Sequence, residues 1–275
     1  MDNETAARLK DKAKRVRLGV IEALGVNRPG HLGGSMSAAD IVAVLYFYKM
    51  RIDPKRIDMP DRDKFIMSKG HSVLAQYSAL AEAGYFPRGE LAKTKTLGAL
   101  LQGHPEIKTP GIEANTGSLG QGLSVGVGMC LAARMDRSPR RVYVVTGDGE
   151  LAEGQIWEAA TAAAHYQLDN LRAVVDVNGI GGMGRIRERY NTGDAYAIAG
   201  KFAAFGWHSA VVDGHDVKAL AESFDVVDEV KGKPSAVVCR TVKGRGVSFA
   251  EDTHLYHNRG LDEEQRAKAL AEIGA

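Results

Sequence analysis

The stretch "VYVVTGDGELAEGQIWEAATAAAHYQLDNLRAVVDVNGI", Val142 to Ile180, decides the fold. Its two apolar runs, Val142–Thr146 and Leu171–Val177, are short and rich in β-branched residues. Gly147-Asp148-Gly149 closes the first and Asn178-Gly179 the second. Such runs read as strands buried on both faces of a parallel sheet. Between them Ile156, Trp157, Ala160, Ala163 and Ala164 recur at helical spacing, which completes a βαβ unit. Turn chemistry alone would account for either end, because Gly, Asp and Asn supply tight geometry. In a βαβ unit, however, both strands end on the same edge of the sheet, where ligands bind in open α/β folds. Asp148 and Asn178 are therefore expected to face one crevice.

A carboxylate, an amide oxygen and a nearby backbone carbonyl are hard oxygen ligands, suited to Mg2+ or Ca2+ rather than to zinc. Asp148 would be the anionic ligand, Asn178 the neutral one, and the carbonyl of Ile180 the third. Gly147 and Gly149 would let a phosphate come close to the backbone. An ion held by so few protein oxygens completes its shell with phosphate oxygens from a cofactor.

Outward from this unit the chain keeps alternating. Helical periodicity covers Thr5–Leu24 and Ala38–Tyr48, the strand "KFIMS" precedes His71, and a helix runs on through Ala83. A long irregular stretch, Leu97–Thr116, leads into a Gly/Ala-rich helix from about Leu119 to Ala133. Beyond Ile180 come a helix near Ala195–Phe205, the strand "WHSAVVD", a helix from Asp216 to Glu229, the strand "SAVVCR" and a terminal helix, Asp262–Ile273. The pattern predicts an α/β fold with a mostly parallel sheet and helices on both faces, organised as one domain over residues 1–275. The glycines of "NTGSLGQG" weaken a helix, and so serve either a group approaching the backbone or close packing.

With 275 residues the chain can bury a sizeable core, and 44% hydrophobic and 25% charged residues are ordinary for a globular protein. A net charge of +2 singles out no polyanionic partner such as a nucleic acid. The basic run "RLKDKAKRVRLGV" reads as the solvated face of a helix. Cys130 and Cys239 are far apart and read as buried thiols of a reducing compartment. No apolar run spans a membrane and no signal-peptide core opens the chain, so the cytoplasm is the expected location.

Of the eight histidines, His31, His71, His104 and His257 lie in loops or at element ends, beside Gly, Pro or Asn. Loops at the edge of a rigid sheet are where function concentrates. His165 and His208 fall inside elements and read as structural, while His215, in "DGHD", stays open.

GDG followed after roughly thirty residues by a strand-closing asparagine resembles the thiamine diphosphate motif. Its surroundings resemble the amino-terminal half of transketolase. The resemblance runs from about Arg15 to about His257 and rests on "RPGHLGGSMSAAD", "DRDKFIMSKGHSVLAQYSALAEAGYF", "LQGHPE", "TGSLGQGLSVGVGM", the loops just described and "TVKGRGVSF". It implies a thiamine diphosphate-binding fold, thiamine diphosphate with Mg2+ or Ca2+ as cofactors, and transfer of a two-carbon ketol unit from a ketose or ketose phosphate to an aldose.

The resemblance also implies roles. His31 and His257 would assist proton transfer at substrate oxygens, and His104 would bond the hydroxyl next to the donor carbonyl. His71 would contact the diphosphate, together with Gly147, Asp148, Gly149 and Asn178. Gly117 and Leu119 would meet the pyrimidine end through backbone groups, and Glu153 would reach across a dimer interface, unless it is a dipole partner in the first turn of a helix. The chain has Tyr256-His257-Asn258 where the family usually has Trp-His-Gly, and His254 is the alternative to His257. The loop "GIGGMGRIRERY", Gly179–Tyr190, is unusually rich in Gly and Arg and reads as a flap.

In transketolases the glutamate that protonates the aminopyrimidine belongs to a second, pyrimidine-binding domain. The expectation is therefore an amino-terminal, diphosphate-binding subunit of a split transketolase, joined by a separate pyrimidine-binding chain in an α2β2 assembly. Two other readings stay beside it: a subunit of a 2-oxo acid dehydrogenase-type enzyme, and a cofactor-binding subunit without catalysis.

Overall fold

The structure, a computed structural model, describes residues 1–190 and 194–274. In chain order the elements are α1 (Asn3–Leu24), α2 (Leu32–Ser37), α3 (Ala39–Val44), β1 (Lys64–Met67), α4 (Val73–Ala83), α5 (Gln121–Met135), β2 (Val142–Gly147) and α6 (Gly154–His165). There follow β3 (Leu171–Val177), the small hairpin β4 (Ile180–Gly181) and β5 (Gly184–Arg185), α7 (Arg187–Tyr190), α8 (Ala195–Ala204), β6 (His208–Asp213), α9 (Val217–Asp228), β7 (Ser235–Arg240) and α10 (Glu263–Gly274).

Five strands make one sheet in the order β1-β2-β3-β7-β6, and every neighbouring pair is parallel. Successive side chains of a strand point to opposite faces, so each strand feeds two cores. Val145, Val174 and Val237 pack with α1, α3, α4 and α9 on one side, and Val144, Val175 and Val238 pack with α5, α6 and α8 on the other. Both faces are covered, as a parallel sheet requires. The helix starts follow the sequence: Asp2 accepts from Thr5 N at 2.6 Å to cap α1, and Asp216 accepts from Lys218 N at 2.9 Å to cap α9.

The five expected strands are all present, the expected helices differ only in detail, and α2 and α7 are additional. The Ala38–Tyr48 helix is α3 prolonged by a π-turn, Leu45–Lys49, in which Met50 N donates to Leu45 O at 2.8 Å. The Gly-rich helix begins at Gln121 rather than Leu119, because the backbone at Gly120 is left-handed, with φ +85°, and its N–H, which a helix start leaves free, donates to Glu150. Close packing explains one of its glycines: a Cβ on Gly122 would lie 2.4 Å from Ser68 Oγ. Cys130 and Cys239 are buried, free thiols. Most of the basic run on α1 is exposed or half-buried, but Arg17 turns inward to Asp40, with Nη1 at 3.1 Å. No helix among the described residues is long and apolar enough to cross a membrane.

Candidate active site

A cleft of about 370 Å³ opens at the carboxyl ends of β1, β2, β3 and β7. His31, His71, His104 and His257 line it, together with Gly117, Leu119, Gly147, Asp148, Gly149, Asn178 and Ile180. Loops separated by more than two hundred residues thus converge on one space. Glu153 is the exception among the expected residues: it is exposed at the start of α6 and does not line the cleft. His254 is also exposed and outside the cleft, whereas His257 is inside it.

Asp148 and Asn178 do share one crevice. Asp148 is 3% exposed; its Oδ2 accepts from Gly179 N at 2.6 Å and its Oδ1 from Gly149 N at 2.8 Å, so it staples the two strand ends together. Burial, and then the neighbouring charge of Asp176, push its carboxyl up to about 6. Among the described residues, Asn178 Oδ1 accepts only from Ile180 N, at 3.2 Å. The carbonyl of Ile180 accepts from the ammonium of Lys243 at 2.7 Å. A desolvated carboxylate, an amide oxygen and a carbonyl that already attracts a cation make an oxygen set suited to a hard divalent ion. Among the described residues no cluster of three or more His, Cys, Asp or Glu is placed to hold a metal, so an ion here would depend on this mixed set and on oxygens from a ligand.

Beneath the cleft lies a buried charged frame that sequence reasoning missed. Lys69 pairs with Asp176 and donates to Gly34 O at 2.8 Å. Asp176 also accepts from Ser37 Oγ at 2.6 Å and from Thr241 Oγ1. Burial works to raise the Asp176 carboxyl, but the Lys69 charge and these hydrogen bonds outweigh it and hold it below the ordinary carboxylate range. Glu150, 2% exposed, accepts from Ser68 Oγ at 2.5 Å, Gly120 N at 2.9 Å and Gly147 N at 3.1 Å, and so fixes the Gly-rich turn against the end of β2. Lys243, 2% exposed, bonds Ile180 O and, at 2.9 Å, His257 Nδ1. Burial, and then the Lys69 charge, lower its ammonium to about 8. Two lysine ammoniums at the floor of a cleft that also has glycine backbone is a setting for a polyanionic ligand such as a diphosphate.

The four loop histidines form a cluster. Ring centroids lie 4.9 Å apart for His31 and His71, 5.2 Å for His31 and His257, 5.4 Å for His71 and His257, and 6.4 Å for His31 and His104. Burial depresses each of them first. With neighbouring positive charge added, His31 falls to about 3, His71 to about 2 and His257 to about 4, and His104 is lowered as well. At neutral pH they are uncharged imidazoles, able to accept a proton or to pass one between oxygens. Backbone bonds hold them: Gly33 N donates to Tyr256 O at 3.1 Å and Gly244 N to Gly33 O at 3.0 Å, tying the His31, His257 and Lys243 loops together. His104 sits against Gly117, whose φ of +138° and lack of a Cβ let the imidazole approach: a Cβ there would lie 2.6 Å from the ring.

The Gly/Arg-rich loop is ordered into the β4–β5 hairpin and α7, and Met183, Ile186, Arg189 and Tyr190 form a wall of the cleft. His215 is structural: it bonds Asp40 through Nδ1 at 2.7 Å and accepts from Val242 N at 2.8 Å through Nε2, bracing the backbone next to Lys243. His165 is exposed at the end of α6 and His208 is half-buried at the start of β6; neither lines the cleft.

A family profile described as "Transketolase, thiamine diphosphate binding domain" matches residues 9–275. The chain is 41% identical over 266 residues to the 6-deoxy-6-sulfo-D-fructose transketolase subunit SqwG of Clostridium sp., covering 96% of each chain. It is 38% identical over 265 residues to one of the subunits of the apulose-4-phosphate transketolase of Phocaeicola vulgatus, covering 96% of this chain and 92% of that one. Among solved structures, the transketolase from Leishmania mexicana superposes with a TM-score of 0.89 at 32% identity, over 97% of this chain but 41% of that one.

Proposed function

This chain belongs to the transketolase thiamine diphosphate-binding domain family, and from that premise we propose that it is the diphosphate-binding subunit of a split transketolase. The reaction is transfer of a two-carbon ketol unit from a ketose or ketose phosphate to an aldose. One observation carries the reading: four uncharged histidines, two lysines and the Asp148/Asn178 oxygens converge on one cleft. That this chain matches nearly the whole length of two relatives named as subunits supports the split arrangement.

Asp148, Asn178 and the Ile180 carbonyl would hold Mg2+ or Ca2+, and His71, Lys69, Lys243 and the Gly147–Gly149 backbone would face the diphosphate. Gly117 and Leu119 would meet the pyrimidine end. When bound, thiamine diphosphate supplies a nucleophilic carbon that can carry a two-carbon fragment. The chain's own residues position and shuttle protons. His31 and His257, whose rings lie 5.2 Å apart, would take a proton from one substrate oxygen and return it to another, and their low basicity keeps them uncharged at neutral pH. His104, 6.4 Å from His31, would bond a donor hydroxyl. Ile186, 2% exposed, gives the hairpin wall of the cleft apolar surface.

The activating glutamate of this family would come from a pyrimidine-binding partner, in an α2β2 assembly with cofactors at the interfaces, working in the cytoplasm. The outer face of α5 suits such a contact: Val125, Gly128, Ala132 and Met135 form an exposed stripe at helical spacing, with Met135 85% exposed. Glu153, exposed beside this face, would meet the partner rather than the cleft.

Assays with a purified partner separate the readings. Ketol transfer from sugar donors is expected; decarboxylation of 2-oxo acids without ketol transfer would point to the dehydrogenase type, and cofactor binding without turnover to a non-catalytic role.

A further inference from the structure

At the amino ends of β2, β3 and β7, on the sheet edge opposite the cleft, lies a second cavity of about 460 Å³. Four arginines and a lysine line it, Arg134, Arg137, Arg141, Arg172 and Lys231, against two carboxylates, Asp169 and Asp228. Both carboxylates are already engaged. Asp228 pairs with Lys49, which lies outside the cavity, at 2.5 Å and with Arg141 at 3.3 Å, and Asp169 accepts from Gly232 N at 3.0 Å. Positive charge is in excess.

Arg172 distinguishes this cavity from a patch of surface cations. It is a strand residue, 1% exposed, in a sheet whose other buried positions are almost all apolar. Its Nη1 donates to the carbonyls of Asp169 at 2.6 Å and Leu171 at 3.2 Å, and its Nη2 faces Asp228 at 3.5 Å. Its Nε has no hydrogen-bond partner among the described residues, and neither has Asn170 Oδ1. A buried guanidinium N–H left unpaired is destabilising, and the sheet gains nothing from it. The carboxylate that faces Arg172, Asp228, is shared with Lys49 and Arg141, so the charge at the cavity wall is not balanced and an anion in the cavity would offset it.

We propose that this cavity binds a phosphate monoester dianion, at a site separate from the catalytic cleft. Arginine forks match phosphate oxygens in geometry and charge. The volume falls within the roughly 300–1,000 Å³ of small-molecule pockets, which leaves room for an organic group beyond the phosphate. The seven residues of β3 set the two sites about 20 Å apart. Occupancy at one end of β3 would brace the strand that carries Asp176 and leads to Asn178 at the other.

The test uses the full chain, first titrated with thiamine diphosphate and Mg2+ so that the state of the cleft is known independently. Glycerol 3-phosphate, neither ketose nor aldose, and inorganic phosphate are then titrated calorimetrically into wild type and into Arg137→Glu/Arg141→Gln. Arg137 is exposed and Arg141 half-buried, Asp228 keeps Lys49 and Arg172 as partners when Arg141 is replaced, and unchanged melting verifies the fold of the variant. Saturable binding of the ester is expected in wild type whether or not the cleft is filled, weakened about tenfold or more in the variant, the size of one charge-assisted hydrogen bond. Tighter binding of the ester than of inorganic phosphate would identify the esters as the source, and equal binding free phosphate. Absence of binding by both, equal affinity in the variant, or competition with thiamine diphosphate would overturn the proposal.

Discussion

Lys243 presents its buried ammonium to the carbonyl oxygen of Ile180 at 2.7 Å, the same oxygen expected to help hold a divalent ion. A carbonyl has two lone pairs, so both cations can in principle address it, but only with anionic oxygens between them to screen their repulsion. On the proposed function Lys243 would therefore couple metal binding to the diphosphate. Replacing it with methionine, Lys243→Met, is expected to weaken thiamine diphosphate binding about tenfold or more. The same change should raise the pKa of His257, because the Lys243 charge ranks after burial among the causes that depress it. Calorimetry and histidine NMR titration check the two effects, and if both quantities stayed put Lys243 would have no role in the site.

Asp148 predicts a conflict between stability and binding. In the ligand-free chain its carboxyl sits at about 6, above its ordinary 3.8. Its stabilising contribution is thus complete below about pH 4 and lost as pH rises through about 6. Asp148→Asn should remove this pH dependence and abolish metal-dependent cofactor binding, without a net gain in stability, because its amide keeps one acceptor for the two backbone N–H groups of Gly149 and Gly179. Thermal melts with and without thiamine diphosphate and Mg2+ test both halves.

The histidine cluster predicts the opposite slope in acid. His31, His71 and His257 lie at about 3, 2 and 4, below the ordinary 6.5. Their contribution is held above about pH 6.5 and lost as pH falls toward 4 and beyond, because the unfolded chain takes up protons that the folded cluster refuses. These depressions together exceed the upward shift of Asp148, so the melting temperature should fall as pH drops from about 7 to about 5. His71→Gln should flatten that slope. A slope unchanged by the substitution would mean that the cluster is hydrated and titrates normally.

What could be read from the sequence divides along physical lines. The five strands were legible as short runs with apolar residues bounded by turn residues, β-branched in four of them, and Asp148 and Asn178 were legible because strand ends share an edge in a βαβ unit. Lys69, Asp176 and Glu150 were not. They stand inside or beside strands and turns, and nothing local shows that their partners come from Gly34, Ser37, Thr241 and Gly120, contacts that exist only once the chain is folded. Their one available signal was a charged residue within or abutting an otherwise apolar run, as in "RAVVDV". The hairpin in the Gly/Arg-rich loop was missed for another reason: two-residue strands are too short to show periodicity.

The exposed stripe on α5 gives a test of assembly that leaves the cleft untouched. A side chain at Gly128 would meet nothing within 4 Å among the described residues. Gly128→Arg should therefore melt within about 1 kcal/mol of wild type, the usual helix-glycine effect, yet fail to join the partner. Light scattering of the mixed chains measures this, and normal assembly by the variant would move the interface elsewhere.

If this chain is one half of a transketolase, its turnover must depend on the other half. Ketol transfer is to be measured with the purified chain alone, supplied with thiamine diphosphate and Mg2+, and again as a pyrimidine-binding partner is titrated in. Silence of the chain alone and turnover that rises to saturation as the partner reaches equal amounts is the predicted result. Robust turnover by the chain alone would contradict it.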